Sequence, residues 1–227
     1  MNSEEITTGK EKFPSLEDKW EALQPLITRF QIQRGHSLFQ QGAPELGIYL
    51  LFEGKIKQFR LNAGGRKLIF ELSGPGEIVG TETLFNKENH IATAEVISEE
   101  AEVGFLERNN FFAFLKENPS LLFEFAKYIS TKSMAYKLKL AESTYDGSKK
   151  RICRLLVAGS NCELDLTRNL LAQLAGVSYK TTIQVLGELE KRKIIETKDH
   201  HIEIKEKREL EELSNSFPLD LEGYVIL

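Results

Sequence analysis

Apolar and polar positions alternate in three successive rhythms along the 227-residue chain. Residues 1–14 are polar, charged and without period, which predicts disorder. Trp20, Leu23, Leu26 or Ile27, and Phe30 then fall at helical spacing. Ser15 with Asp18 forms a capping pair in front of them, so a short helix is expected from Ser15, kinked or split at Pro25. From Phe30 to Phe105 the rhythm shortens. The segments IYLLFEG, KIKQFRL, RKLIFEL, EIVGTETLF, IATAEVI and AEVGFLE are rich in branched and aromatic residues, and Gly42, Gly54, Gly64–Gly65 and Gly74–Pro75–Gly76 punctuate them. Short strands at regular spacing with turn signals between them predict a small barrel or jelly roll, which can enclose a ligand.

Helical period returns after Asn110, and a long helix is expected from Pro119. Its apolar or small residues fall at Leu122, Ala126, Ile129, Ser133, Tyr136, Leu140 and Ser143, with gaps alternating four and three. That heptad seam predicts a two-stranded coiled coil between two copies of the chain. Asp146–Gly147–Ser148 breaks the helix as a hinge, and residues 149–157 form a further amphipathic helix.

The stretch Thr167–Lys191 carries two short amphipathic helices. Leu170, Leu171 and Leu174 mark the first, and Ile183, Val185, Leu186 and Leu189 the second. Gly176 supplies the turn and Ser178 a cap for the second helix. Tyr179, Lys180, Thr181, Thr182 and Gln184 form a polar run that suits base edges in a major groove. A helical hairpin that only packs is the alternative. Ile194–Thr197 and His201–Lys205 read as a two-stranded wing, and 208–213 as a small helix. Residues 215–227 are an apolar tail with no assigned place.

Charge sharpens the picture. The net charge is −4, but residues 1–110 carry 12 basic and 17 acidic side chains, whereas 149–205 carry 11 basic and 7 acidic. A locally positive segment suits one that meets phosphate. The N-terminus lacks the apolar stretch of a secretory signal, and no run is long and apolar enough for a membrane span. A cytoplasmic protein is expected. Cys153 and Cys162 are too few for a disulfide framework, and Cys153 is expected as a small buried residue. The histidines are scattered, and no catalytic triad, phosphate-binding glycine loop or zinc-spaced ligand set occurs, so no enzyme is expected.

Barrel, heptad helix, hinge and winged helix-turn-helix in this order resemble the cAMP receptor protein and FNR (CRP/FNR) family of bacterial transcription regulators. The resemblance rests on GIYLLFEGKIK (47–57), GPGEIVGTETLF (74–85) and TRNLLAQLAGVSYKTTIQVLGELEKRKII (167–195). Residues 123–145 are also similar to the halophenol-responsive members. The resemblance implies an α+β chain: a cyclic-nucleotide-binding-type barrel over 15–117, a dimerisation helix over 118–145, a hinge at 146–148 and a winged helix-turn-helix over 149–214. It further implies double-stranded promoter DNA, a small-molecule effector, RNA polymerase and a second copy of the chain as partners, with no cofactor.

Departures from the family pattern set the details. The glutamate of its cyclic-nucleotide cassette is replaced here by Thr81, although Gly80 and Leu84 are kept, and its arginine-serine pair by Ile91–Ala92. Isoleucine cannot hold a cyclic phosphate by a bidentate contact, so cyclic nucleotides are not expected to bind. An apolar, phenolic or carboxylic anion is expected instead, walled by Phe70, Leu72, Gly80, Thr81, Leu84, Ile91 and Ala92 and closed by Lys132, Ser133 and Tyr136. Haem would rest on His36 or His90, iron-sulfur chemistry would need four cysteines, and a redox role for the cysteines stays open. The family's base-reading positions are occupied here by Tyr179, Lys180 and Gln184, which predicts a half-site other than TGTGA. Thr167, Ser178 and Thr181 join them at the interface. Arg168, Lys149, Lys150, His200 and His201 are candidate phosphate contacts. A protein-binding module without DNA remains the rival.

Overall fold

The computed structural model describes residues 23–161, 166–198 and 201–214. The expected N-terminal disorder, the start of the Ser15 helix, Cys162, His200 and the 215–227 tail lie outside the described residues. The chain divides into two compact units, with the boundary between Met134 and Ala135.

The first unit is two four-stranded antiparallel sheets. One has the order β1 (Ile27–Gln33), β8 (Glu100–Glu107), β3 (Gly47–Glu53), β6 (Ile78–Val79). The other has the order β2 (Ser37–Phe39), β7 (Thr93–Val96), β4 (Ile56–Leu61), β5 (Lys67–Ser73). Leu51, Ala101 and Val103 turn inward with Ile56, Ala94 and Val96, while Ile48, Leu50 and Leu106 turn to the opposite face, as a period of two requires. Helices α1 (Arg108–Glu117) and α2 (Pro119–Tyr145) follow. Phe111, Phe114 and Leu115 of α1 pack with Leu121 and Phe125 of α2, with Leu23 and with the sheet residues Ile48, Ile78 and Leu106.

Three expectations are corrected here. The helix expected through Phe30 gives way to β1, because Ile27–Gln33 pairs residue for residue with β8 from Leu106 back to Glu100. A 3-10 turn, Gln24–Leu26, with Pro25 near its start, leads into it. The segment expected as a strand over 77–85 is extended only at Ile78–Val79. Gly80 has φ +88°, a left-handed conformation that ends the strand, and the chain then turns through residues 81–87. Strand β2 was not expected; three residues are too few to show a period.

In the second unit, α3 (Ser148–Asn161) follows the break at Asp146–Gly147. That break is braced: Arg154 meets Asp146 at 2.8 Å and Glu142 at 2.9 Å, and the Arg151 guanidinium donates to the Ser143 carbonyl at 3.2 Å. Next come α4 (Arg168–Ala175), α5 (Tyr179–Lys191), the antiparallel pair β9 (Ile195–Lys198) and β10 (His201–Ile204), and α6 (Lys207–Ser214). Ile152, Cys153, Leu156, Leu171, Leu174, Val185, Leu186, Leu189, Ile194 and Leu210 are among its buried residues. Cys153 is a fully buried thiol, as a small apolar residue would be, and burial raises its pKa.

Candidate nucleic-acid interface and barrel interior

Local chemistry builds the helix pair in steps. The Thr167 hydroxyl accepts the Leu170 N–H at 3.2 Å and caps α4. Gly176 ends α4 at φ 62°, where its N–H donates to the Ala172 carbonyl. Two residues on, the Ser178 hydroxyl accepts the Thr181 N–H at 3.0 Å and starts α5. The Ser178 and Thr181 hydroxyls also bond each other at 2.7 Å, so both keep only part of their hydrogen-bonding capacity for a partner.

Helix α5 has two faces of unlike character. Thr182, Val185, Leu186 and Leu189 are buried. Each apolar side chain so buried contributes about 1.5–3 kcal/mol, enough to lock the helix orientation. Tyr179, Lys180, Ile183 and Gln184 are exposed. Two expectations are exchanged here: Ile183 was placed on the packed face and Thr182 among the base readers, and the reverse holds. Thr182 sits three, four and seven residues before Val185, Leu186 and Leu189, the spacing of one helical stripe. Its hydroxyl is satisfied by the Ser178 carbonyl at 3.2 Å, so burial strands no donor.

The candidate phosphate contacts fare unevenly. Arg168 is half-buried at the start of α4, and His201 is exposed on β10. Lys149 is held by Glu188 of α5 at 3.0 Å, and Lys150 by Asp146 at 3.4 Å. On the wing, Lys205 meets Glu203 at 2.6 Å and Glu196 at 3.0 Å, and Lys198 meets Glu196 at 3.0 Å. Those contacts hold the Glu196 carboxyl below its usual range and the Lys205 ammonium above its own.

The barrel interior departs further from expectation. Leu72, Gly80, Thr81, Leu84 and Ala92 are buried, and Phe70 is half-buried. Ile91 is 49% exposed and walls nothing closed. Ser133 is exposed on α2, and Tyr136 lies on α2 beyond the unit boundary. Lys132 does not stand ready for an anion, since its ammonium is 2.7 Å from Oε1 of the buried Glu71.

Around that pair lies a polar cluster that periodicity did not reveal. Gln58 Nε2 donates to Glu71 Oε2 at 3.1 Å and to Glu82 Oε1 at 3.4 Å, and the Ser73 hydroxyl donates to Glu71 Oε1 at 3.4 Å. Lys132 also lies 5.2 Å from the centre of the Tyr128 ring. Two carboxylates thus share one ammonium. Burial raises the Glu82 pKa against the pull of Lys132, with Glu71 adding to the rise. Burial likewise pushes the Tyr128 phenol up to about 12. The signal available in the sequence was Gln58 and Glu71 at positions where a strand turns inward; Glu82 comes from the turn after β6.

Comparisons with known proteins match both halves. The cyclic nucleotide-binding domain family matches residues 29–118 and the Crp-like helix-turn-helix domain family matches residues 150–213. The chain belongs to the CRP/FNR family of transcription regulators. It is 26% identical to the cyclic AMP receptor protein of Thermus thermophilus over 80% of this chain and 85% of that protein. It is also 26% identical to the anaerobic regulatory protein of Bacillus subtilis, covering 78% of this chain and 79% of that one. The solved structure of the c-di-GMP-responsive regulator CLP from Xanthomonas campestris shares the fold. Its TM-score is 0.76 at 18% identity, over 83% of this chain and 98% of that one. Membership makes this CRP/FNR chain a DNA-binding transcription regulator rather than an enzyme. No described helix is long and apolar enough to cross a membrane, and no cluster of metal-ligating side chains occurs among the described residues.

Proposed function

We propose that two copies of this chain bind a DNA palindrome and regulate a promoter in response to a small effector. The observation that carries this is α5, which buries one face on its own unit and leaves Tyr179, Lys180 and Gln184 exposed on another. Lysine suits guanine acceptors and glutamine suits adenine, so the half-site differs from TGTGA. Two copies join along α2, where Leu122, Ala126, Ser133, Leu140 and Ser143 are exposed in a heptad seam. The bound dimer acts on RNA polymerase from the promoter, in the cytoplasm.

The effector enters the barrel beside α2 and is an apolar molecule or a phenolic or carboxylic anion, not a cyclic nucleotide. Thr81 and the exposed Ile91 support the exclusion, since neither supplies a charge for a cyclic phosphate. An entering anion displaces Glu71 from Lys132. Effector binding shifts the dimer between two arrangements only as far as it favours one of them.

The test is selection of duplexes from a random pool by the full-length protein, followed by gel-shift assay of Lys180→Ala and Gln184→Ala. A recovered two-fold palindrome whose base preference relaxes in these variants supports the proposal. Recovery of nothing above background sinks it. Calorimetry with cAMP should give no saturable heat at micromolar ligand.

A further inference from the structure

The exchange of Thr182 and Ile183 has a chemical consequence. Ile183 is 38% exposed, and Thr182 is 0% exposed. Along α5, Ile183 falls four residues after Tyr179, three after Lys180 and four before Gly187, so the four share one strip of helix surface. A lone exposed aliphatic residue is ordinary on a protein surface. Here it stands among side chains that hydrogen-bond, in the middle of the face assigned to DNA.

Helix stability accounts for neither Ile183 nor Gly187. A β-branched residue at an exposed helical site is a poorer helix former than alanine, lysine or glutamine, and this one buries little in return. Gly187 is half-buried, its φ is not left-handed, and a Cβ built on it would meet nothing within 4 Å. The fold does not require glycine there. Two neighbouring choices on one strip therefore run against the stability of the helix. Together they leave the Ile183 side chain bordered by bare backbone on its C-terminal side, where a duplex can approach closely.

We infer that Ile183 reads the 5-methyl group of a thymine in each half-site. This rests on α5 being the helix that enters the groove. Among the groups that base edges show in the major groove, the thymine methyl is the apolar one. Isoleucine offers no hydrogen bond, so against the donors and acceptors of any other base edge it would leave polar groups dry and unpaired. Against thymine it covers a methyl group and is itself covered.

Uracil lacks that methyl and keeps every hydrogen-bonding group of thymine, which gives a clean test. Duplexes are first selected by the full-length protein, and deoxyuridine then replaces each thymidine of the recovered palindrome in turn, symmetrically in both half-sites. At one position the replacement should weaken wild-type binding about 4-fold per half-site, or about 15-fold for the dimer, the ratio that follows from about 0.8 kcal/mol per buried methyl. Ile183→Ala should bind the thymine and uracil duplexes alike. Alanine is the better helix former, and circular dichroism confirms that the variant is folded. A palindrome with no uracil-sensitive position, or one whose sensitivity persists in Ile183→Ala, overturns the role of Ile183 and leaves DNA binding standing. Recovery of no duplex overturns both.

Discussion

His90 lies flat on Phe39 with ring centroids 3.7 Å apart and is 5% exposed. Burial lowers its pKa from 6.5 to about 4, so the folded protein holds the ring neutral. Between those values the unfolded chain binds more protons than the folded one. Stability from this group is therefore complete above pH 6.5 and lost as pH falls toward 4, by at most about 3 kcal/mol. Glu82 and Glu45, both raised by burial, act with the opposite sign, losing stability as pH rises above 4.5. The measurement is thus a difference: His90→Phe keeps the stack, and urea titrations across this window should show a flatter acid limb than wild type. Thr182 gives a second prediction. The Ser178 carbonyl accepts both the Thr182 N–H at 3.0 Å and its hydroxyl at 3.2 Å. Thr182→Val leaves that carbonyl bonded, so stability should change by less than about 1 kcal/mol and DNA affinity not at all. At this scale the turn and one cap were legible in the sequence: Gly176 and Ser178 act where their chemistry placed them, while the cap at Thr167 was not read. Thr182 and Ile183 were not, because polarity and helical phase disagree there and the phase of Val185, Leu186 and Leu189 decides.

Among the elements, β1 shows why some structure stayed hidden. Leu23, Leu26 and Phe30 fit a helical stripe, yet Phe30–Gln33 also alternates, and long-range pairing with β8 chooses between the two patterns. Most other strands and all the C-terminal helices could be read directly, since each carries a single period bounded by glycine or a cap. Of the wall expected for an effector, Leu72, Leu84 and Ala92 are buried, as their apolar character implies. Gln58, Glu71 and Glu82 come from two strands and a turn, and nothing in a linear pattern brings such residues together. The ion pair that joins β5 to α2 carries its own prediction. Lys132→Met leaves Glu71 buried without its cation and should cost about 3–5 kcal/mol, while Glu71→Gln with Lys132→Met should recover most of it in thermal unfolding. On α5, Gly187→Ala should raise stability by about 0.5–1 kcal/mol, a gain that costs the duplex its room.

For the whole molecule, the proposed dimer rests on the α2 seam. Leu140 is 67% exposed in the single chain, and Leu122 is 43% exposed. Leu140→Glu should shift sedimentation from dimer to monomer and weaken palindrome binding at least 10-fold, because each half-site is then engaged alone. The wing leads elsewhere. Lys198 and Lys205 are already matched by Glu196 and Glu203. A wing that brings its own neutralising charge frees few condensed ions when it settles on a phosphate strand. The plot of log affinity against log salt should therefore be shallow, and this regulator should keep its grip on DNA in a cell whose ionic strength swings widely.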